Sequence, residues 1–158
     1  MILRRYLLGL SLALTCLGFA HAQTPAPQVK FTTSAGEFVI ELYPDKAPNT
    51  VENFLTYVRD GHYNGLIFHR VINNFMIQGG GYDARYMEKP TRPAIKHEGA
   101  EVKAKNGPTN TAGTIAMART NNPHSASSQF FINVKDNDFL NPTPIPPGDP
   151  VPRFEYQG

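Results

Sequence analysis

Three short blocks of the sequence, residues 68–80, 113–119 and 127–132, concentrate the side chains that could do chemistry. The first block contains Arg70 and Gln78 among aromatic and sulfur-containing residues. A guanidinium group keeps its positive charge and offers several hydrogen-bond donors, whereas an amide both donates and accepts. Groups of this kind can orient and hydrogen-bond a molecule that lies against an apolar surface.

Strand periodicity indicates which of these side chains share a face. Successive side chains of a strand point to opposite faces, which pairs Met76 with Gln78 and Gln129 with Phe131. Both faces therefore mix amide, sulfur and aromatic groups, whereas an ordinary core face is uniformly aliphatic. The spacing alone leaves open that the aromatic and methionine side chains are core residues and that Arg70 is solvated.

Common catalytic motifs are absent from the sequence, which contains no G-x-x-x-x-G-K-[ST], G-x-S-x-G or H-E-x-x-H. The glycines of residues 79–81 end a strand without a helix signal or lysine behind them, which argues against a phosphate loop. The histidines that follow the N-terminal segment lack i, i+4 spacing, which favours surface or hydrogen-bonded histidine over a metal site. They are His62, His69, His97 and His124. We expect no metal and no cofactor.

The elements that must position these blocks are mostly strands. Period-two alternation and flanking turn residues predict short strands, with Asn73-Asn74 as a hairpin turn because asparagine tolerates positive φ. They are residues 29–33, 37–43, 66–72, 75–78, 94–96, 114–118 and 128–134. Many short strands and one helix predict a closed or nearly closed antiparallel barrel.

The helix is predicted over Asn49 to Asp60. Asn49 can cap its start, Glu52 follows three residues later as in a capping box, and Gly61 marks its end. Apolar residues at i, i+3, i+4 and i+7 form a single stripe that faces the core. They are Val51, Phe54, Leu55 and Val58.

Residues 1–22 have the pattern of a secretory signal peptide. Arg4 and Arg5 precede a short apolar run, and small residues two apart end at Ala22, where we expect cleavage. A retained membrane anchor and a lipidated Cys16 are the alternatives. Residues 23–28 read as an extended leader.

Removal of that segment changes the charge of the protein. Lys plus Arg falls from 15 to 13 because two arginines leave, which equals the 13 Asp plus Glu and gives a formal charge of zero. A neutral protein offers no electrostatic case for binding nucleic acid or an anionic membrane. The single cysteine leaves as well, which excludes disulfides and thiol chemistry.

The three blocks resemble the signature of the cyclophilins, the peptidyl-prolyl cis-trans isomerases. Residues 93–98 and 116–120, together with the export signal, resemble the periplasmic branch from Gram-negative bacteria. The resemblance extends from Val29 to Leu140 and implies that residues 29–158 form one cyclophilin-like domain, a mostly β barrel with a flanking helix.

The resemblance also implies roles for individual residues. Arg70 matches the catalytic arginine of the family and Gln78 one of its polar contacts, and we expect both to be catalytic. The positions that match substrate-binding residues are Phe75, Met76, Ala118, Arg119, Gln129, Phe131, Phe139 and Leu140. Arg119 would contribute through its backbone. Phe139 stands where the family has a tryptophan, which implies weak binding of cyclosporin-type inhibitors. Gly81 replaces a common aspartate, which we interpret as a loop difference.

The C-terminal part departs from the family pattern. Six prolines between Pro142 and Pro152 exclude a helix or a central strand and predict a polyproline-like surface loop. The resemblance implies two further strands and a closing helix beyond Gly158. We therefore expect a C-terminally incomplete domain whose barrel is open and has unpaired edges.

The resemblance implies that the protein accelerates rotation about X-Pro bonds in exported polypeptides. It also implies that the protein acts in the periplasm and is a monomer. Arg70 would donate a hydrogen bond to the prolyl nitrogen, while the apolar residues hold the ring. The partners would be proline-containing unfolded chains. Two alternatives remain: a proline-peptide-binding chaperone module without turnover, and an inactive truncated fragment.

Overall fold

The computed structural model describes residues 25–142. The predicted signal peptide and the proline-rich stretch after Pro142 lie outside the described residues. The described part consists of six strands, two α-helices and a 3₁₀ helix. They are β1 Gln28–Thr33, β2 Gly36–Glu41, α1 Pro48–Arg59, β3 Arg70–Ile72, β4 Met76–Gly79, α2 Gly99–Ala104, β5 Ile115–Met117, β6 Phe130–Asn133 and the 3₁₀ helix Asp138–Leu140.

Strands β1 and β2 form an antiparallel hairpin. Val29 lies opposite Ile40 and Phe31 opposite Phe38, so one face of the hairpin is apolar. The intervening residues are polar apart from Val39, which is exposed. The alternation predicted for this segment is therefore confirmed, and it directs one face of the hairpin to the core.

The other four strands form one antiparallel sheet in the order β3-β4-β6-β5. Hairpin β3–β4 turns at Asn73-Asn74, and Asn74 has φ +56°, as its residue type predicts. Within residues 25–142 the two sheets do not close into a barrel. The mostly β fold with a flanking helix is confirmed.

The core lies between the β1–β2 hairpin, helix α1 and the four-stranded sheet. The Phe130 ring packs edge-on against Phe31 at 5.7 Å and against Phe54 at 5.8 Å between centroids. Val51 and Phe54 are buried, and Leu55 and Val58 pack against the same cluster, so the helical stripe predicted from spacing is confirmed. This core supports the sheet from one side and leaves its other face for the site.

The start of α1 differs from the capping box that the sequence predicts. The helix begins at Pro48, and its N-cap residue makes no side-chain cap bond. Glu98, 7% exposed, accepts hydrogen bonds from the backbone N–H groups of Asn49 and Thr50 at 3.1 and 2.7 Å. Glu52 instead pairs with Arg59 at 2.6 Å on the surface. A distant carboxylate therefore satisfies the helix N-terminus.

Several predicted strands are shorter in the structure. Of residues 66–72 only Arg70–Ile72 is a strand, while Leu66 makes an isolated bridge to Asp83. The expected strand at 94–96 is a single bridge between Ile95 and Ala126, because no longer partner strand runs beside it. Helix α2 was not predicted: it has only six residues, and none of them is buried, so it has no apolar stripe.

Among residues 25–142, no helix is long and apolar enough to cross a membrane.

Candidate functional site

The register of the four-stranded sheet places the predicted polar and aromatic residues in one row. Arg70 is the Cα partner of Gln78, and Gln78 that of Phe131. Phe131 is also paired with Ala116. Directly opposed residues of adjacent strands share a face, so arginine, amide, aromatic ring and a small residue follow one another across the sheet. The three larger side chains are half-buried.

A chain of hydrogen bonds joins the polar side chains. Gln129 Oε1 accepts a bond from Gln78 Nε2 at 2.9 Å, and Gln78 Oε1 accepts one from Arg70 Nη1 at 3.3 Å. Because the Gln78 amide donates to Gln129 through its nitrogen and accepts from Arg70 through its oxygen, only one orientation of this amide satisfies both hydrogen bonds. The Gln78 amide, which is itself held by Gln129, therefore anchors the guanidinium group of Arg70 over the sheet.

Gly81 lies against the last member of this chain. A Cβ atom built on Gly81 would stand 2.7 Å from Gln129 Nε2 and 2.8 Å from Gln129 Cγ, closer than such atoms approach in proteins. The missing side chain at Gly81 thus provides the space that the Gln129 side chain occupies. Gly81 lies in the bend after strand β4, and its close approach to Gln129 is a tertiary contact that the local sequence does not show.

Two aromatic rings form the apolar wall beside these polar groups. Phe75 stacks on Phe139 with centroids 5.6 Å apart and planes 24° from parallel. Phe139 is 74% exposed, whereas Phe75 and Leu140 are half-buried. Met76 is only 2% exposed, so its side chain lies in the interior rather than on open surface. Of the apolar candidates, Met76 alone is packed like a core residue.

Ala118 and Arg119 follow directly on strand β5. The Ala118 backbone N–H donates to the Gln129 carbonyl oxygen at 2.9 Å, which keeps this segment beside the amide chain. Arg119 is half-buried, and its Nη1 donates to the Thr120 carbonyl at 2.8 Å. All ten residues proposed from the sequence thus lie on the described part of the chain.

Sequence reasoning missed a cluster of buried asparagines behind the wall. Asn133 and Asn137 are 1% and 2% exposed, and the Asn137 amide nitrogen donates to Asn133 Oδ1 at 2.7 Å. The same nitrogen donates to the Phe75 carbonyl at 2.9 Å. The repeated asparagines at 133, 137 and 141 were the available signal. Asparagine is ordinarily an exposed turn residue, which is why the pattern does not suggest burial.

The histidines form no metal site among the described residues, where no group of three His, Cys, Asp or Glu side chains is placed to hold an ion. His69 lies next to Arg70 with its ring edge-on to Tyr82 at 4.7 Å. Burial lowers the pKa of His69, and the nearby positive charge of Arg70 lowers it further.

The fold and this site define a small, mostly antiparallel β protein that presents a hydrogen-bonded arginine beside an aromatic wall. The chain belongs to the cyclophilin family: the family model described as cyclophilin type peptidyl-prolyl cis-trans isomerase/CLD matches residues 28–146.

Two curated relatives illustrate the similarity. The chain is 59% identical over 113 residues to peptidyl-prolyl cis-trans isomerase B of Escherichia coli K12, covering 72% of this chain and 66% of that protein. It is 56% identical over 122 residues to a peptidyl-prolyl cis-trans isomerase of Acinetobacter baylyi, covering 77% and 62% respectively. The chain therefore spans slightly less than two thirds of the length of these relatives.

Solved structures agree with the family. Cyclophilin AquaCyp293 from Hirschia baltica superposes with a TM-score of 0.62 at 29% identity, covering 75% of this chain and 61% of that one. A Cryptosporidium parvum cyclophilin type peptidyl-prolyl cis-trans isomerase, crystallised in the presence of the dipeptide Ala-Pro, superposes with a TM-score of 0.59 at 26% identity. That match covers 73% of this chain and 72% of that structure.

Proposed function

We propose that this protein is a peptidyl-prolyl cis-trans isomerase that rotates X-Pro bonds without covalent chemistry. The observation that carries the proposal is the Arg70–Gln78–Gln129 hydrogen-bond chain, together with the stacked Phe75 and Phe139 rings, of which Phe75 directly precedes strand β4. Membership in a family named for this reaction supports it.

The reaction has a high barrier but needs little chemistry. Rotation about a peptide bond costs about 18–20 kcal/mol because amide resonance must be broken. In the twisted state the prolyl nitrogen is pyramidal and regains a lone pair, which can accept a hydrogen bond. Arg70 is suited to donate that bond, since it carries a permanent charge and several N–H groups. Lowering the barrier by about 7 kcal/mol accelerates exchange some five decades.

The residues around Arg70 divide the remaining tasks. Gln78 orients the guanidinium group, and Gln129 orients Gln78 and the substrate carbonyl. Phe75, Phe131 and Leu140 hold the proline ring above the buried Met76, and the Ala118–Arg119 backbone runs beside the extended substrate. Donors directed at the place where the lone pair develops stabilise the transition state more than the ground state.

The substrates we propose are proline-containing segments of unfolded polypeptides. The Ala-Pro dipeptide used with the Cryptosporidium parvum relative supports this substrate class. Neither a cofactor nor a metal takes part in the proposed reaction, because no bond is broken. We propose that the protein acts as a monomer.

The test is an isomerisation assay on the chain from residue 23 onward, with an Arg70→Ala variant. We expect kcat/KM to fall by about two to three decades, the range measured for removal of one transition-state donor. The matched control is Arg59→Ala, which removes a surface arginine that pairs with Glu52 on helix α1. An Arg70→Ala protein as fast as the wild type would exclude the role of Arg70.

The same experiment separates turnover from mere binding. If the wild type binds proline peptides without accelerating exchange, the chain is a binding module, and loss of Arg70 should leave its affinity unchanged. If it neither binds nor unfolds cooperatively, it is an inactive fragment. A version extended to the length of the curated relatives, assayed in parallel, shows whether further residues are required.

We propose further that the protein is exported to the periplasm. The N-terminal pattern of Arg4, Arg5, an apolar run and small residues supports cleavage after Ala22. Expression in a Gram-negative host, fractionation and N-terminal sequencing test it. A mature chain starting at Gln23 in the periplasmic fraction is the expected result, and an uncut cytoplasmic chain would contradict it.

A further inference from the structure

A cluster of buried and half-buried asparagines is hydrogen-bonded to the backbone behind the aromatic wall. The Asn133 amide nitrogen donates to Asn110 Oδ1 at 3.2 Å and to Thr114 Oγ1 at 3.0 Å. Asn110 is held in turn by Asn141 Oδ1, which accepts from its backbone and side-chain nitrogens at 2.8 and 3.0 Å. Because these bonds share members, the cluster is one connected polar network, in which Asn133 is buried and Asn110 and Asn141 are half-buried.

Asn137 connects this network to the wall. Its side-chain nitrogen donates one hydrogen bond to Asn133 Oδ1 at 2.7 Å and a second to the Phe75 carbonyl oxygen at 2.9 Å. Its backbone N–H donates to the Asn110 carbonyl at 2.7 Å. Asn137 stands at the N-cap of the 3₁₀ helix but makes no side-chain cap bond there. The side chain is therefore directed inward, to the β3–β4 hairpin, rather than to its own helix.

The two ends of this connection are the two rings of the wall. Phe75 follows the Asn73-Asn74 turn, and its carbonyl is fixed by Asn137 and by the Val134 N–H at 3.1 Å. Phe139 lies in the 3₁₀ helix that Asn137 precedes, and the Leu140 N–H donates to the Asn137 carbonyl at 2.9 Å. With 74% of Phe139 exposed, packing does little to hold its ring. Asn137 is therefore hydrogen-bonded to both backbone segments that carry the rings, through its side chain to Phe75 and through its carbonyl to Leu140.

We propose that Asn137 is a positioning residue for substrate binding, which sets the Phe75–Phe139 wall and so the affinity for the proline ring. The inference rests on the proposed function. Asn137 has no hydrogen bond to Arg70, Gln78 or Gln129, so we expect it to affect binding of the proline ring and not the catalytic hydrogen-bond chain. Its loss should raise KM and leave kcat unchanged.

The experiment compares Asn137→Ala with Thr114→Val in the chain from residue 23 onward. Thr114→Val removes an acceptor from the same network, at Asn133, but leaves both bonds of the Asn137 amide intact. Exchange NMR on a short Ala-Pro peptide gives kcat and KM. A nuclear Overhauser spectrum reads the contact between the Phe75 and Phe139 rings without requiring catalysis.

We expect Asn137→Ala to lose the ring contact and to raise KM about tenfold, with kcat within twofold of the wild type. Thr114→Val should keep the ring contact and both kinetic constants. An intact ring contact or an unchanged KM in Asn137→Ala overturns the proposal, as does a fall in kcat alone.

Should Asn137→Ala not fold, Asn137→Ser, whose shorter hydroxyl does not span the gap, is judged by the same ring contact. A wild type without catalysis refutes the proposed function, while the ring contact still decides the role of Asn137.

Discussion

Gln78 Nε2 lies 2.9 Å from Gln129 Oε1 and donates a hydrogen bond to it, which turns the oxygen of Gln78 toward Arg70. The direction of this bond decides the orientation of both amides. A Gln78 side chain with the opposite orientation would present its NH₂ group to the donors of Arg70, and neither group could accept. The position of Gln129 therefore fixes the orientation of the Gln78 amide, and through it the position of the Arg70 guanidinium group.

The first prediction concerns the space for Gln129. Gly81→Ala puts a methyl group within 2.8 Å of the place that Gln129 Cγ now occupies, so the side chain must move. We expect kcat/KM to fall about tenfold, the loss of one correctly placed hydrogen bond to a charged network. Measurement of exchange catalysis at subsaturating peptide checks it.

A double-mutant cycle provides the control for this prediction. If Gly81 acts through Gln129, the alanine at residue 81 should have little further effect once Gln129→Ala is present. Full additivity of the two effects would mean that Gly81 acts by another route.

The candidate site was largely predictable because strand alternation is a local property. The pairing of Met76 with Gln78 on one face follows from a period of two, and the observed register continues that face to Phe131 on β6. The apolar stripe of α1 and the positive φ of Asn74 follow equally from neighbours in the sequence.

The missed features depend on partners far along the chain. Glu98 caps the start of α1 across 48 residues, at Thr50, whereas the sequence offered Glu52 as the local candidate. Asn137 reaches back 62 residues to the Phe75 carbonyl. The type of residue alone cannot predict such contacts, because glutamate and asparagine are mostly exposed and only the fold brings a buried partner to them.

The second prediction uses the pH dependence of the Glu98 cap. Burial alone would raise the pKa of Glu98, but hydrogen bonds from Thr50 and Asn49 outweigh it and hold the pKa below its ordinary value. A carboxyl group whose pKa is lowered by folding stabilises the protein above its unfolded pKa and ceases to do so as pH falls through the folded one. Glu98→Gln should cost about 1–2 kcal/mol at pH 7.

Denaturant unfolding of both proteins between pH 7 and pH 3 measures this. The difference should shrink as the pH falls below the ordinary glutamate pKa, because the unfolded chain takes up a proton at residue 98 there, and it should level off once folded Glu98 is protonated as well. Glu52→Gln is the comparison: its partner Arg59 is a surface arginine, so we expect a much smaller change. A constant difference at every pH would rule out the charge of Glu98 as the cause.

The third prediction concerns backbone strain at Tyr86. Tyr86 has φ +59° and is 67% exposed, so the left-handed conformation is not offset by burial of the ring. Tyr86→Gly should raise the free energy of unfolding by about 1 kcal/mol, since glycine adopts this conformation without the Cβ contact. Tyr43→Gly, at an exposed tyrosine with ordinary φ, should instead lower stability. Thermal unfolding of the two variants and the wild type measures these changes in stability. A Tyr86→Gly protein less stable than the wild type would disprove the strain at residue 86.

The fourth prediction concerns Phe139, which stands where the resemblance to the family implies a tryptophan. Tryptophan adds ring area and an indole N–H donor, and the 74% exposure of Phe139 leaves room for it. Phe139→Trp should therefore tighten binding of a cyclosporin-type inhibitor by about tenfold, the effect of one added hydrogen bond. Because the chain contains no tryptophan, the new residue is the only indole fluorophore, and its emission should shift on titration with the inhibitor.

Tyr43→Trp places the same fluorophore on the surface beyond strand β2 and should show neither effect. Equal affinity in the Phe139→Trp and wild-type proteins, measured by calorimetry, would show that the ring at this position does not set inhibitor binding.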